Sequence, residues 1–246
     1  MLDEHQSAES RSSATMDESY AYPGHTAVLP RDHWRDGVPA QLFRYRVIKR
    51  CMDILCVLLA LPVLLPLFGV IAIVMMRTSP GPILFSHRRI RKNGAFFSMW
   101  KFRTMCVNST EVLDSYLKLH PEARAEWYAT RKLRVDPRVT AIGAFLRRFS
   151  LDELPQVWNV LMGTMSLVGP RPIVAAEVEK YGNGFQCYCR VKPGLTGLWQ
   201  VSGRSELSYD ARVALDCAYV KRWSLGRDIV ILMKTFAAVV HQDGAF

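Results

Sequence analysis

The chain has 246 residues, half of them hydrophobic, which is enough apolar material to form the core of one catalytic domain. Its formal net charge of +10 is uneven, because residues 1–43 carry an excess of acidic side chains and the remainder is strongly basic. A basic body favours anionic partners, namely nucleic acid, anionic lipid or phosphorylated substrates, and composition does not choose among them.

The chain divides by composition into three parts. Residues 1–41 are rich in Ser, Asp, Glu and Pro and poor in aliphatic side chains. Such a segment cannot bury enough apolar surface to offset the entropy of ordering, so we expect a disordered N-terminal tail. We then expect a basic flank with a membrane helix over residues 42–78, and a catalytic domain over residues 79–246.

The membrane segment runs without charge from Ile54 to Met76, which is long enough to cross a hydrocarbon core. Lys and Arg flank both of its ends and mark the cytoplasmic side, so both ends are expected on that side. Pro62 and Pro66 each remove a helix hydrogen bond in mid-run, which predicts a bend. A re-entrant hairpin satisfies both observations. An ordinary kinked span and a buried core helix remain open.

The sequence patterns of the rest of the chain predict a mixed α/β fold that is mostly helical. Two short strands, 83–85 and 96–100, flank an Asn-Gly pair and predict a β-hairpin. Helical patterns follow at 110–132, 139–149, 152–162, 209–222 and 224–240. The last is mostly apolar, so it suits either an amphipathic helix in the lipid headgroup plane or an internal core helix.

Two adjacent carboxylates, Asp152 and Glu153, stand at the predicted start of a helix. Ser150 with Glu153 fits a capping box, or Asp152 caps the helix with Pro155 in its first turn. In both interpretations the helix dipole favours the acids at this end. A plain helix cap explains these residues. The functional alternative is that one carboxylate attacks phosphorus while the other holds a magnesium ion.

Several cations are candidates for binding phosphate. Arg171 lies between two prolines that restrict its backbone, and arginine binds phosphate through two parallel hydrogen bonds. Lys101 and Arg103 alternate along a predicted strand and share a face, as a phosphate clamp or as a charged strand face. Gly203-Arg204 suggests a second phosphate-facing loop, on weaker grounds.

Other chemistries find little support in the sequence. It contains neither a GxGxxG loop nor a Walker A loop, and we recognise no nucleic-acid reader motif. The six cysteines form no CxxC pair and have no zinc-ligand spacing, which indicates reduced packing residues. We therefore expect no nucleic-acid partner.

An ordered set of short motifs resembles the bacterial sugar transferase family, the monotopic phosphoglycosyl transferases, over about residues 44–246. One such motif would be weak evidence, whereas the set in order is specific. The motifs are Lys49-Arg50 with Asp53, Lys101 to Met105, Ser150 to Gln156, Asn159 to Leu161, Gly163, Met165-Ser166, Val168 to Pro172, Lys192 to Gly197, Gln200 to Arg204, and Leu215-Asp216.

The resemblance implies a re-entrant membrane helix, with Asp152 as the nucleophile and Glu153 as a ligand of Mg²⁺. It also implies roles around the substrate phosphates, or in supporting the site, for Lys101, Arg103, Arg147, Arg171, Arg204 and Asp216. One departure is Leu65-Pro66, where the family often has Ser-Pro. A serine hydroxyl bonds back to a helix carbonyl and helps the bend, so here the bend depends more on Pro62 and Pro66.

The resemblance is strongest to enzymes that initiate exopolysaccharide synthesis. It implies transfer of hexose-1-phosphate, galactose before glucose, from a UDP-sugar to undecaprenyl phosphate with release of UMP through an aspartyl phosphosugar. The expected location is the bacterial inner membrane, with the catalytic domain facing the cytoplasm. A homodimer and downstream glycosyltransferases are expected partners. A membrane scaffold without catalysis and a plain glycosyltransferase that releases UDP are the alternatives.

Overall fold

A computed structural model describes residues 43–203 and 206–240. The predicted tail, residues 1–41, and Arg204 lie outside the described residues. The α-helices are α1 (Phe43–Thr78), α2 (Ser109–Leu119), α3 (Pro121–Thr130), α4 (Ala141–Arg148), α5 (Gln156–Leu161), α6 (Val178–Tyr181), α7 (Gly184–Tyr188), α8 (Tyr209–Lys221) and α9 (Leu225–Val240). The strands are β1 (Leu84–Ile90), β2 (Phe96–Phe102), β3 (Ser166–Val168) and β4 (Gly194–Thr196). The mixed, mostly helical fold is therefore confirmed.

Helix α1 covers the whole predicted membrane run and is one continuous element of 36 residues. By its length and composition, this helix could cross a membrane. Pro62 and Pro66 lie inside it. A bend at these prolines stays a prediction.

Both ends of α1 are attached to the same protein body. Near the first end, the Arg50 guanidinium donates to the Leu161 carbonyl at 2.6 Å. Just beyond the last residue of α1, the Ser79 carbonyl accepts from Arg103 at 2.6 Å. The buried side chains of α1, such as Val57 and Met75, lie toward these two ends, whereas between them no side chain over residues 58–70 is buried and several, such as Val63, are exposed.

The predicted β-hairpin is confirmed. β1 pairs antiparallel with β2, and its register places Leu84 opposite Phe102. The connecting turn is a 3₁₀ turn at Lys92–Gly94, with Asn93 at a φ of 67°. Asparagine tolerates this left-handed conformation better than most residues, which explains its place in the turn.

Two predicted elements need correction. The single helix expected over 110–132 is two helices, because Pro121 lacks the N–H that a continuous helix would require and starts α3 instead. The loop expected over 192–197 contains β4, which pairs in parallel with β3. A three-residue buried strand has too few residues to show a period, so its partner is decided by tertiary packing.

A buried ionic network joins α1 to the catalytic body. Lys49 Nζ lies 2.9 Å from Asp228 Oδ2 of α9 and 3.3 Å from Asp53 Oδ1. Asp53 Oδ1 also accepts hydrogen bonds from Ser166 Oγ at 3.0 Å and from the Leu167 N–H at 3.1 Å. Because all three charged side chains are almost completely buried, each depends on the others for compensation.

Candidate active site

Asp152 and Glu153 lie in a short 3₁₀ turn rather than at the start of an α-helix. The turn spans Leu151–Glu153, and α5 begins only at Gln156. Ser150 has a φ of 54°, which turns the chain sharply after α4, and its side chain makes no cap hydrogen bond. Both capping interpretations are therefore wrong. The acidic pair is held by a tight turn, where burial and the nearby cations determine its electrostatic environment.

Lys101 and Arg171 converge on these carboxylates. Lys101, on β2, places its Nζ 2.7 Å from Glu153 Oε1 and 3.8 Å from Asp152 Oδ2. Arg171 Nη2 lies 4.0 Å from Glu153 Oε1. Four of the residues predicted for the site are thus brought together from three separate stretches of the sequence.

The two carboxyl groups differ in their electrostatic environment. Burial raises the pKa of Asp152, and the adjacent Glu153 charge raises it further, while Lys101 and Arg147 act against this change. Burial also acts to raise the pKa of Glu153, but Lys101 and Arg171 outweigh it, so this pKa lies below its usual value. Asp152 is therefore the more basic carboxyl group of the pair, and Glu153 is the more firmly ionised one.

Arg147 reaches the site from the last turn of α4. Its Nε donates to Thr104 Oγ1 at 2.9 Å, just beyond β2. Helix α4 can approach this segment because Gly143 has no side chain. A Cβ there would lie 2.8 Å from the Cα of Thr104. The close approach holds the end of α4 against the segment that follows β2, and from there the Arg147 charge acts to lower the pKa of Asp152.

Arg103 has a different position from the one predicted. β2 ends at Phe102, and Arg103 is buried with its Nε donating to the Pro82 carbonyl at 2.7 Å. Its Nη2 donates to the carbonyl and the hydroxyl of Ser79. Lys101 and Arg103 therefore reach different partners, which corrects the expectation of a shared phosphate-facing surface. Arg103 holds the turn that follows α1.

Asp216 is also separate from the carboxylates. It is buried in α8, where Tyr181 OH donates to its Oδ2 at 2.7 Å. Burial raises the pKa of Asp216 to about 7. Within the described residues no hydrogen bond or ion pair joins it to Asp152 or Glu153, so an active-site supporting role stays a prediction.

One further cation near the acidic pair was not found from the sequence. Arg89, on β1, has Nη1 3.3 Å from the Pro172 carbonyl and 3.6 Å from Glu177 Oε2. Burial, and then the nearby Arg171, lower the pKa of Arg89. Its Nε is buried without a hydrogen-bond partner among the described residues. The cleft beside the acidic pair is lined by Arg89, Met99, Glu153, Gln156, Arg171, Pro172, Gly194 and Leu195.

Asp152 and Glu153 present carboxylate oxygens, which are the ligands that Mg²⁺ prefers in proteins. Mg²⁺ is commonly bound by one or two carboxylates together with phosphate oxygens. Among residues 43–203 and 206–240, no group of three or more His, Cys, Asp or Glu side chains could hold a metal alone. The Lys101 ammonium already forms ion pairs with both Asp152 and Glu153.

The sequence matches one protein-family model and several known proteins. The sequence model described as "Bacterial sugar transferase" matches residues 44–242. The chain is 50% identical over 201 residues to the UDP-galactose-lipid carrier transferase of Erwinia amylovora, covering 82% of this chain and 42% of that protein. It is 49% identical over 201 residues to the undecaprenyl-phosphate galactose phosphotransferase of Salmonella typhimurium, again covering 82% and 42%.

A shorter relative matches over most of its length. The exopolysaccharide production protein ExoY of Rhizobium meliloti is 48% identical over 198 residues, covering 80% of this chain and 88% of that protein. The chain therefore spans less than half of the first two relatives and most of the third.

Proposed function

Because the chain belongs to the bacterial sugar transferase family, we propose that it transfers a hexose-1-phosphate from a UDP-sugar to undecaprenyl phosphate and releases UMP. The observation that carries this proposal is the pair of adjacent carboxyl groups with opposite pKa shifts, beside a cleft lined by Arg89 and Arg171. Galactose is the proposed hexose, because two relatives near 50% identity are named for galactose transfer. Glucose is the alternative.

In the first step Asp152 acts as the nucleophile. Its carboxylate oxygen forms a bond to the phosphorus attached to the sugar, the bond from that phosphorus to the bridging oxygen breaks, and UMP leaves with the electron pair. Asp152 suits this role better than Glu153, because Glu153 Oε1 is held by Lys101 at 2.7 Å whereas Asp152 Oδ2 is 3.8 Å from the same ammonium. The product is a sugar phosphate esterified to Asp152.

In the second step an oxygen of undecaprenyl phosphate attacks the same phosphorus. Asp152 then leaves as a carboxylate, and the product is undecaprenyl-diphospho-hexose. In both steps Arg147 and Arg171 offset the negative charge that accumulates on the phosphate oxygens, and Lys101, held between Asp152 and Glu153, adds positive charge beside the attacking carboxylate. Magnesium, held by Glu153 and the substrate when bound, would supply further positive charge to these oxygens.

We also propose that α1 enters the membrane and returns to the same face as a hairpin. The attachments near both ends, at Arg50 and at Ser79, are to one protein body, so a hairpin brings this body to a single membrane surface. Pro62 and Pro66 are exposed at the middle of α1, where a bend would lie. The proposed surface is the cytoplasmic one, where UDP-sugars are available and where flanking Lys and Arg are favoured. The mostly exposed apolar face of α9 would lie in the headgroup plane.

The side of the membrane on which each end of α1 lies can be tested by thiol labelling. Val47→Cys and Thr78→Cys are introduced separately into a chain in which the exposed or partly exposed Cys51, Cys56, Cys106 and Cys217 are replaced by serine. In sealed inside-out vesicles a membrane-impermeant maleimide should label both variants to the same extent. A helix that crosses the membrane would leave one of the two unlabelled, and this result would contradict the hairpin.

The proposed reaction is tested by identifying the released nucleotide. The purified protein is incubated with Mg²⁺, undecaprenyl phosphate and either UDP-galactose or UDP-glucose, and the nucleotide products are separated. We expect UMP, released faster from UDP-galactose. Release of UDP would mean transfer of the sugar without its phosphate and would overturn the mechanism. No release from either donor, in protein that remains folded, would favour a scaffold.

A further inference from the structure

Four cations lie on or beside the first turns of α1. We call them the basic foot: Arg46 and Arg50 on α1, and Lys92 and Lys192 beside it. Two of them meet above Gly163. Lys192 Nζ and Arg50 Nη2 lie 3.3 and 3.6 Å from the point where a Cβ of Gly163 would stand. Arg46 precedes Arg50 by four residues, so the two share one face of α1.

The fourth cation is brought in by the β-hairpin. Lys92 lies in the turn between β1 and β2, and the N–H of its neighbour Asn93 donates to the Cys189 carbonyl at 2.9 Å. Cys189 is three residues before Lys192, so the tip of the hairpin adjoins the segment that carries Lys192. Three distant parts of the sequence therefore contribute positive charge to one place.

This positive charge is poorly compensated within the described part of the chain. The Arg50 guanidinium donates to the carbonyls of Val160 and Leu161, which are neutral groups. Neither Lys92 nor Lys192 forms a hydrogen bond or a salt bridge to another residue in 43–203 or 206–240. Asp53, whose charge acts on Lys192, is already shared by Lys49, Ser166 and Leu167.

The two lysines also repel their neighbours. Burial lowers the pKa of Lys192, and Arg50 lowers it further. Burial and Arg46 act in the same way on the pKa of Lys92. A bound anion would reverse both effects, because it would pair with half-buried ammonium groups that are otherwise solvated in part only.

The surroundings favour a lipid as the source of that anion. Phe43 and Val47, on the same turns of α1 as Arg46, are 73% and 43% exposed. Helix α9, which Lys49 ties to α1 through Asp228, exposes Met233 and Phe236. Cations bordering exposed apolar side chains are the pattern expected at the boundary between lipid headgroups and acyl chains.

We infer that the basic foot binds the phosphate headgroup of an anionic membrane lipid such as phosphatidylglycerol. Within the described residues no hydrogen bond or ion pair joins the basic foot to Asp152 or Glu153. The inference needs α1 to lie at a membrane. It does not need the transferase reaction.

The test is a binding titration on the whole protein in an uncharged detergent, without nucleotide-sugar. Dihexanoyl-phosphatidylglycerol or dihexanoyl-phosphatidylcholine is added, and apparent affinity is read from the rise in Tm. We expect the anionic lipid to bind at least about tenfold more tightly. Lys92→Gln with Lys192→Gln should abolish this preference. Lys92→Gln alone, in a turn that contains no fully buried residue, should reduce it and so covers the case in which the double variant folds poorly.

A matched control removes the same charge elsewhere. Lys118→Gln with Lys132→Gln changes two exposed lysines and should leave the preference intact. Equal binding of the two lipids by the unaltered protein would overturn the proposal. So would competition by inorganic phosphate at the same concentration as the lipid, since this would show a general anion site. Displacement by undecaprenyl phosphate at much lower concentration would instead assign the basic foot to the acceptor substrate.

Discussion

Asp152→Asn should abolish release of UMP, with a loss of activity on the order of 10⁴-fold or more, as is usual when a nucleophile is removed. The amide has nearly the same shape as the carboxylate but cannot form the acyl phosphate. With a donor labelled in the sugar phosphate and no acceptor, the unaltered protein should retain covalent label, and Asp152→Asn should retain none.

Two comparisons make this result specific. Asp114→Asn removes an exposed carboxylate on α2 and should leave both the rate and the label unchanged. Glu153→Gln should lower the rate while still permitting some label on Asp152. Covalent label of normal intensity on Asp152→Asn would show that another group attacks the phosphorus.

The same assignment has a consequence for pH dependence. Only the ionised form of Asp152 is nucleophilic, and burial raises its pKa. The rate should therefore fall as pH decreases through a value above that of an ordinary aspartate, and Glu153, whose pKa is lowered, should remain ionised over this range.

Asp228→Ala should cause the largest loss of stability, about 3–5 kcal/mol in the free energy of unfolding, because it leaves buried Lys49 with one carboxylate partner instead of two. The substitution also removes the acceptor of Trp223 Nε1 and one of the two acceptors of Tyr219 OH. Unfolding of the purified protein by denaturant in detergent, followed by tryptophan fluorescence, measures the change.

The control is Asp210→Ala, which removes an exposed aspartate from the first turn of α8 and should cost less than about 1 kcal/mol. A double-mutant cycle with Lys49→Met then isolates the ion pair. If Asp228→Ala and Asp210→Ala unfold at the same denaturant concentration, the network does not hold α1 to the body.

Much of the local structure was predictable because it depends on short-range chemistry. The Asn-Gly turn predicted the β1–β2 hairpin, and the uncharged run predicted the one long apolar helix. The motifs around Asp152 predicted the family, since they keep both residue type and order along the chain. The prolines predicted only some of the helix boundaries. Pro121 was overlooked as the start of α3, although its missing N–H is a local signal.

Three features depended on contacts between distant residues. No local pattern distinguishes Arg89, which lines the cleft, from Arg88, which stacks on Phe96. Arg103 looked like a partner of Lys101 because strand alternation was assumed to continue past Phe102, where β2 ends.

The third feature is the pair of opposite pKa shifts of Asp152 and Glu153, which also depends on contacts between residues that are distant in the sequence. Adjacent carboxylates are alike in the sequence and become different only in the fold, where burial raises the pKa of Asp152 while Lys101 and Arg171 lower that of Glu153. The amino-acid sequence by itself determined which chemical groups are available and where turns and apolar segments occur, because these follow from each residue and its neighbours. The tertiary structure decided which charges meet and which are buried, because electrostatic energies depend on distance and on the exclusion of water.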